Sequence, residues 1–383
     1  MTDITRRQSL QLLLGAAACA AASTHAFGVA EPSLDSLARR TGRRFGTAVG
    51  QGQPGSNAGP FADPGYRRII EADCGILVAE NEMKWQWLRP TPDTFDFSGF
   101  DRLVDYAKAH SMAVRGHTLL WHKSKWMPDW EATHDFGANP VQAAEAMLTN
   151  HITTICKRYG DAIVSYDVVN EAVHDADGVL EETALSKALG GAEATIDLAF
   201  HMAREHAPHA ELVYNDYMGW EAGNDAHRTG VLKLLEGLRK RNVPVDTLGL
   251  QSHLIVNSLD PETGIGRREE EAWQAFVDEA VGMGYRLVIT EFDVQDKALP
   301  TDIAARDAGV SAYARAYLDM MLNYKEMGDV LAWGLSDRYS WLQGFSPRDD
   351  GTPVRGCPYG HDFKAKPLHE AIAASLRAAT PRS

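Results

Sequence analysis

Cysteine is scarce, with 4 residues in a chain of 383, and none falls into a C-x-x-C pair or a Cys/His cluster at zinc spacing. A disulfide scaffold and a structural zinc site are excluded. Positive charge is also short. The 38 Lys+Arg stand against 52 Asp+Glu, a formal net charge of −14. Nucleic-acid backbones and anionic membrane surfaces, which draw Lys/Arg clusters, are therefore excluded as partners. Missing too are a G-x-S-x-G elbow, an H-E-x-x-H helix and a phosphate loop with its Lys. No apolar run is long enough to cross a bilayer as a permanent helix. What remains is 44% apolar and 23% charged residues, the composition of a globular protein with ample core. A neutral partner or substrate stays open.

The first 26 residues read as an export leader rather than as fold. Thr5-Arg6-Arg7-Gln8-Ser9-Leu10-Gln11 precedes an apolar run from Leu12 to Ala22 and a Thr24-His25-Ala26 exit. That is a secretory layout, and the Arg6-Arg7 pair gives it the twin-arginine form. The mature protein is expected to be periplasmic or secreted, away from the membrane after leader removal, and monomeric. It keeps Cys74, Cys156 and Cys357, an odd number that allows at most one disulfide.

Residues 31–378 alternate. Short β-branched or apolar runs occur at 45–49, 76–79, 113–120, 163–169, 212–214, 247–250, 287–289 and 330–333, with helical spacing between them at 100–110, 140–159, 192–206, 228–241, 269–283 and 304–327. Eight strand-like runs separated by helix-length segments predict an α/β fold, a single (β/α)8 TIM barrel. An open doubly wound sheet is the alternative, and it would need a phosphate loop after its first strand. Gly50-Gln51-Gly52-Gln53-Pro54-Gly55 satisfies G-x-G-x-x-G, but Gly and Pro keep recurring through Gly65, so it reads as a long loop.

In such a barrel the site forms at the carboxyl ends of the strands. Polar residues end nearly every apolar run: Glu80-Asn81, His117 with Trp121-His122, Asn170-Glu171, Asn215-Asp216-Tyr217, Gln251-Ser252-His253, Glu291 with Asp293, and Trp333 with Asp337 and Trp341 beyond. Carboxylates, neutral amides, His and Trp together suit glycoside hydrolysis. One carboxyl protonates the leaving oxygen, the other attacks or positions water, and Trp planes stack on sugar rings.

Six segments, in order, resemble glycoside hydrolase family 10, the endo-β-1,4-xylanases. They are Ala79-Glu80-Asn81-Glu82-Met83-Lys84-Trp85, Gly116-His117-Thr118-Leu119-Leu120-Trp121-His122, Asp167-Val168-Val169-Asn170-Glu171-Ala172, Gly249-Leu250-Gln251-Ser252-His253, Ile289-Thr290-Glu291-Phe292-Asp293-Val294 and the run from Trp333 to Trp341. The resemblance implies cleavage within xylan or xylo-oligosaccharides by a retaining route, with no cofactor and no metal. It implies Glu171 as general acid/base, Glu291 as nucleophile, and His253 and Asp293 as the residues that orient and ionise Glu291. Asn170 would hold the sugar's 2-hydroxyl, while Lys84, His117, Trp121 and Trp333 surround the sugar at the cleavage point. Glu80, Asn81 and Trp341 would hold the next sugar toward the non-reducing end, and Gln251 and Tyr217 the cleft floor and leaving-group side. Two departures stand out: Lys123-Ser124-Lys125-Trp126 replaces a polar stretch that more often contains Gln, and Tyr166 stands where Trp is usual. A retaining β-1,4-glucanase of the same architecture is the nearest rival reading. A silent sugar-binding protein should have lost a carboxylate, and both are present.

Overall fold

The computed structural model describes residues 32–52 and 59–382. The export leader read from residues 1–26 lies outside them, as does part of the Gly/Pro-rich loop. Nine strands follow in chain order: β1 Phe45–Val49, β2 Ile76–Ala79, β3 Ala113–Trp121, β4 Ile163–Asn170, β5 Glu211–Asp216, β6 Thr247–Leu250, β7 His253–Ile255, β8 Arg286–Gln295 and β9 Met327–Ala332. All neighbours are parallel. β6 pairs with β8, and β9 returns to β1 with Phe45 opposite Val330, so eight strands close into a barrel. β7 continues the line of β6 along the far end of β8, with His253 opposite Asp293. Gln251 and Ser252 interrupt the two, and Ser252 has φ 60°, a left-handed conformation that few non-glycine residues adopt.

Each barrel strand is followed by a main helix: α1 Pro64–Asp73, α2 Ser98–Ala109, α3 Pro140–Tyr159, α4 Ala192–His206, α5 Asp225–Lys240, α6 Glu270–Gly282, α7 Ile303–Met321 and α8 Pro367–Ala378. The (β/α)8 architecture expected from the alternation is the one found. α1 hides at the end of the Gly/Pro-rich loop because Pro64 opens it instead of breaking it. The Asp63 carboxylate accepts from the Gly65 N–H at 2.7 Å, and proline costs nothing in the first turn, where its missing N–H has no partner anyway. α7 ends at Met321, short of the expected 327, because apolar spacing runs straight on into β9. Among the described residues, no helix is long and apolar enough to cross a membrane.

Alternation along the strands divides the core in two. Ile76, Val78, Val213, Val288 and Leu331 belong to one small buried cluster, while their chain neighbours Leu77, Ala79, Leu212, Tyr214, Leu287, Ile289, Val330 and Ala332 belong to a large one. A period of two puts the first set inside the barrel and the second under the helices. Cys74, Cys156 and Cys357 are free and buried, as small hydrophobes. Tyr166 is fully buried, a core exchange, and it packs against Gly116 on the adjacent strand.

That contact generates a test of packing. A Cβ on Gly116 would lie 2.4 Å from Tyr166 Cδ1 and 3.0 Å from Met83 Cε. Gly116→Ala should therefore lower stability by about 1–3 kcal/mol, measured by urea denaturation. A variant as stable as the parent would mean that the Tyr166 ring has room to retreat.

Candidate active site

The carboxyl ends of the strands open into a cleft of about 550 Å³. Glu80 and Asn81 follow β2, and Lys84 lies just beyond. His117 and Trp121 belong to β3, Tyr217 follows β5, Gln251 follows β6, and His253 opens β7. Glu291 lies within β8 and Trp333 just past β9, with Trp341 in the loop beyond. All of these and Glu171 line the cleft. Asn170 and Asp293 stand behind the wall, 1% exposed each. The predicted residues are thus brought to one place. Strand β8 reaches there because it runs to Gln295, six residues past the apolar run. Phe292 and Val294 face the outer core while Glu291 and Asp293 meet the other side, so the period of two persists through polar residues.

Glu291 is held by one amide and one imidazole. Asn215 Nδ2 donates to its Oε1 at 2.8 Å, and His253 Nε2 lies 3.4 Å from its Oε2. The other ring nitrogen of His253 is 2.9 Å from Asp293 Oδ1, and Trp341 Nε1 donates to Asp293 Oδ2 at 2.7 Å. Burial raises the Glu291 carboxyl, but His117, His253 and Lys84 together hold it down to about 2. Burial lowers His253, yet the carboxylates of Asp293 and Glu291 lift it to about 10. Imidazolium between two carboxylates is the stable state.

Glu171 sits in the opposite field. It follows β4 with φ 54°, a left-handed conformation, while its N–H donates to Asn215 O at 2.9 Å. Its Oε1 accepts from Gln251 Nε2 at 2.9 Å and from Asn170 Nδ2 at 3.2 Å. Burial raises its pKa above the ordinary value, and the like charges of Asp216 and Glu291 add to that; Gln251 and Lys123 oppose it. Asn170 Oδ1 accepts from Asn215 Nδ2 at 2.8 Å and Gln251 Nε2 at 3.3 Å, so amides bridge the two carboxyl groups. The two carboxyls thus sit in opposed fields, Glu171 raised and Glu291 lowered, with neutral donors between them.

Around them lie an ammonium and aromatic faces. Lys84 Nζ donates to Asn81 Oδ1 at 3.1 Å and stands 4.7 Å from the Trp121 ring centre and 5.7 Å from that of Trp333. Burial lowers its pKa, and Glu291, Glu80 and Glu171 work against that. Burial also pushes Glu80 up to about 7, against the pull of Lys84. His117 Nδ1 lies 2.9 Å from Asp167 Oδ2, and Arg115 Nη2 donates to Asp167 Oδ1 at 2.5 Å. Among the described residues no cluster of His, Cys, Asp or Glu is arranged to hold a metal ion.

Several participants carry no assigned role in the sequence reading. Asn215 and Asp216 stand in a recognised polar strand end, but only folding shows that Asn215 touches both Asn170 and Glu291. Arg115 and Asp167 announce themselves as charges inside apolar runs, each fully buried. Trp126 stacks on Trp121 with ring centres 5.1 Å apart, and Phe345 lies tilted against Trp341 at 4.4 Å; both line the cleft. No periodicity marks either, because each ends a helical segment of only three or four residues.

The model of glycosyl hydrolase family 10 matches residues 33–375. Endo-1,4-beta-xylanase A of Caldicellulosiruptor saccharolyticus is 30% identical over 330 residues, covering 82% of this chain and 88% of its own length. Endo-1,4-beta-xylanase 2 of Aureobasidium pullulans is 29% identical over 318 residues, 82% of this chain and 84% of its own. Among solved structures, native xylanase 10B from Thermotoga maritima superposes with a TM-score of 0.77 at 26% identity, covering 90% of this chain and 98% of that one. Xylanase 10B from Thermotoga petrophila RKU-1, solved in complex with xylobiose, gives 0.76 at 26% identity, covering 90% and 97%.

The charge order around His253 is open to direct measurement. Its imidazole NMR signals should remain those of the protonated ring through neutral pH and titrate near pH 10. Because the folded value lies above the ordinary 6.5, the paired imidazolium stabilises the fold in full below that pH, and the contribution is lost as pH rises through about 10. Asp293→Asn should move the titration downward. A ring that titrates near 6.5 in the parent protein would remove the ion triad.

Proposed function

The chain belongs to glycosyl hydrolase family 10, and from that premise we propose that it cleaves internal β-1,4-xylosidic bonds of xylan with retention of configuration. Glu171 is the general acid/base and Glu291 the nucleophile in this reading. The observation that carries it is the opposed environment of the two carboxyls: Glu291 is held ionised by His253, while Glu171 is pushed toward its neutral form. The names of the relatives support the substrate.

In the first step a Glu291 oxygen attacks the anomeric carbon, the glycosidic C–O bond breaks, and the Glu171 proton passes to the departing oxygen. Glu291 is then a neutral ester. The like charge that helped raise Glu171 is gone, so Glu171 becomes a better-retained anion at the moment it must act as a base. In the second step Glu171 takes a proton from water, the water oxygen attacks the anomeric carbon, and Glu291 leaves as carboxylate. In this reading Asn170 holds the sugar's 2-hydroxyl. Lys84, His117, Trp121 and Trp333 surround the sugar being cleaved, and Glu80, Asn81 and Trp341 hold the next. Tyr217 and Gln251 face the leaving side. In the same reading residues 1–26 are an export leader, of twin-arginine form, and the mature monomer meets its polysaccharide in the periplasm or outside the cell.

Purified enzyme should release reducing ends from linear xylan far faster than from carboxymethylcellulose, and proton NMR should show the β-anomer as the first product. Preference for the cellulose derivative would assign a glucanase, and an initial α-anomer would exclude retention.

The two carboxylates should separate by leaving group. Glu171→Ala should lose about 10²–10⁴-fold on xylan. On an aryl xylobioside with an acidic phenol it should show a burst of phenol, and azide should restore turnover with a β-azide product. Glu291→Ala loses the attacking atom, so azide could give only the α-product. An exchange of these behaviours would swap the two roles.

A further inference from the structure

Beyond Trp121 the cleft wall carries positive charge that cleavage of a neutral polymer does not use. The turn Ser124–Trp126 sets Lys123 and Lys125 on the same stretch of wall. Lys123 is engaged: its Nζ donates to Tyr217 OH at 2.9 Å and lies 3.9 Å from Glu181 Oε1. Lys125 is not. Its side chain is exposed, its Nζ rests 4.6 Å from the centre of the Trp126 ring, and it has no ion-pair partner among the described residues. The whole chain bears a net charge of −14, which repels a polyanionic substrate at long range. An unpaired ammonium in the cleft of such a protein gives back locally what the net charge removes. Plain xylose rings carry hydroxyl groups only and would gain no charge pairing from it. A xylan branch that ends in a uronic acid carries a carboxylate, the group that pairs with an ammonium.

We propose that Lys125, with Lys123 on the same wall, forms a recognition site for the carboxylate of a uronic acid side group on a xylose unit bound along the Trp121–Trp126 wall of the cleft. This rests on the xylan reading given above and names the form of xylan that the cleft favours. The Trp126 ring, stacked on Trp121, supplies the apolar floor beneath the charge.

The test compares three substrates of equal backbone length: a linear xylo-oligosaccharide, one bearing a single glucuronic acid branch, and the same branch with its carboxyl reduced to an alcohol. In low salt kcat/KM for the acidic branch should exceed that for the reduced branch by about threefold to fivefold, the range of a partly screened ion pair. The ratio should collapse toward one in about 1 M NaCl, where screening acts within a few ångströms. It should collapse likewise in Lys125→Gln and persist in Lys125→Arg, with matching thermal unfolding showing that each variant is folded. A parent ratio of one, or a ratio that survives both salt and Lys125→Gln, overturns the proposal while leaving xylan cleavage intact. Failure to cleave even the linear oligosaccharide would overturn the xylan reading itself.

Discussion

Everything at the mouth of this barrel depends on one imidazolium held between two buried carboxylates. His253 lies 2.9 Å from Asp293 and 3.4 Å from Glu291, with Trp341 fixing the far oxygen of Asp293. Moving a lone carboxylate out of water is costly, and an unpaired Glu291 would simply take up a proton. The imidazolium makes the ionised state the stable one, and Trp341 links that charge to the position of an aromatic wall. Charge state and shape are therefore set by the same three contacts. Disturbing Asp293 would alter both.

A second ion pair does similar work deeper in the barrel. Arg115 clamps Asp167, and Asp167 in turn accepts from His117, so the imidazole presented to the cleft has its orientation fixed from below. Asp216 plays a comparable part behind Glu171. It accepts from the Tyr214 hydroxyl, from the Tyr217 N–H at 2.8 Å and from His227 at 3.0 Å, and its charge is one of those that raise Glu171. Buried charges of this kind add little net stability, since desolvation offsets most of the attraction. What they supply is a fixed field.

Alternating apolar runs made the barrel legible, because eight short strands and the helices between them each bury a face with its own period. The site was legible through polar residues that close those runs. Strand β8 outruns its apolar signal: the apolar run ends at Ile289, while the strand continues to Gln295 with Glu291 and Asp293 turned inward and Phe292 and Val294 outward. Pairing β7 to that extension required three dimensions, as did the meeting of Asn215 with both Asn170 and Glu291. Trp126 and Phe345 were harder still. Each ends a helix of three or four residues, too short to show a period, and only contact with Trp121 and Trp341 reveals their place.

The three buried thiols bear on how the protein comes to exist. None of Cys74, Cys156 and Cys357 is cross-linked, so no disulfide among them shrinks the unfolded ensemble, and the two apolar layers hold the barrel without that help. Maturation of these residues thus waits on no oxidant and no isomerase. Their buried sulfurs are closed to thiol exchange.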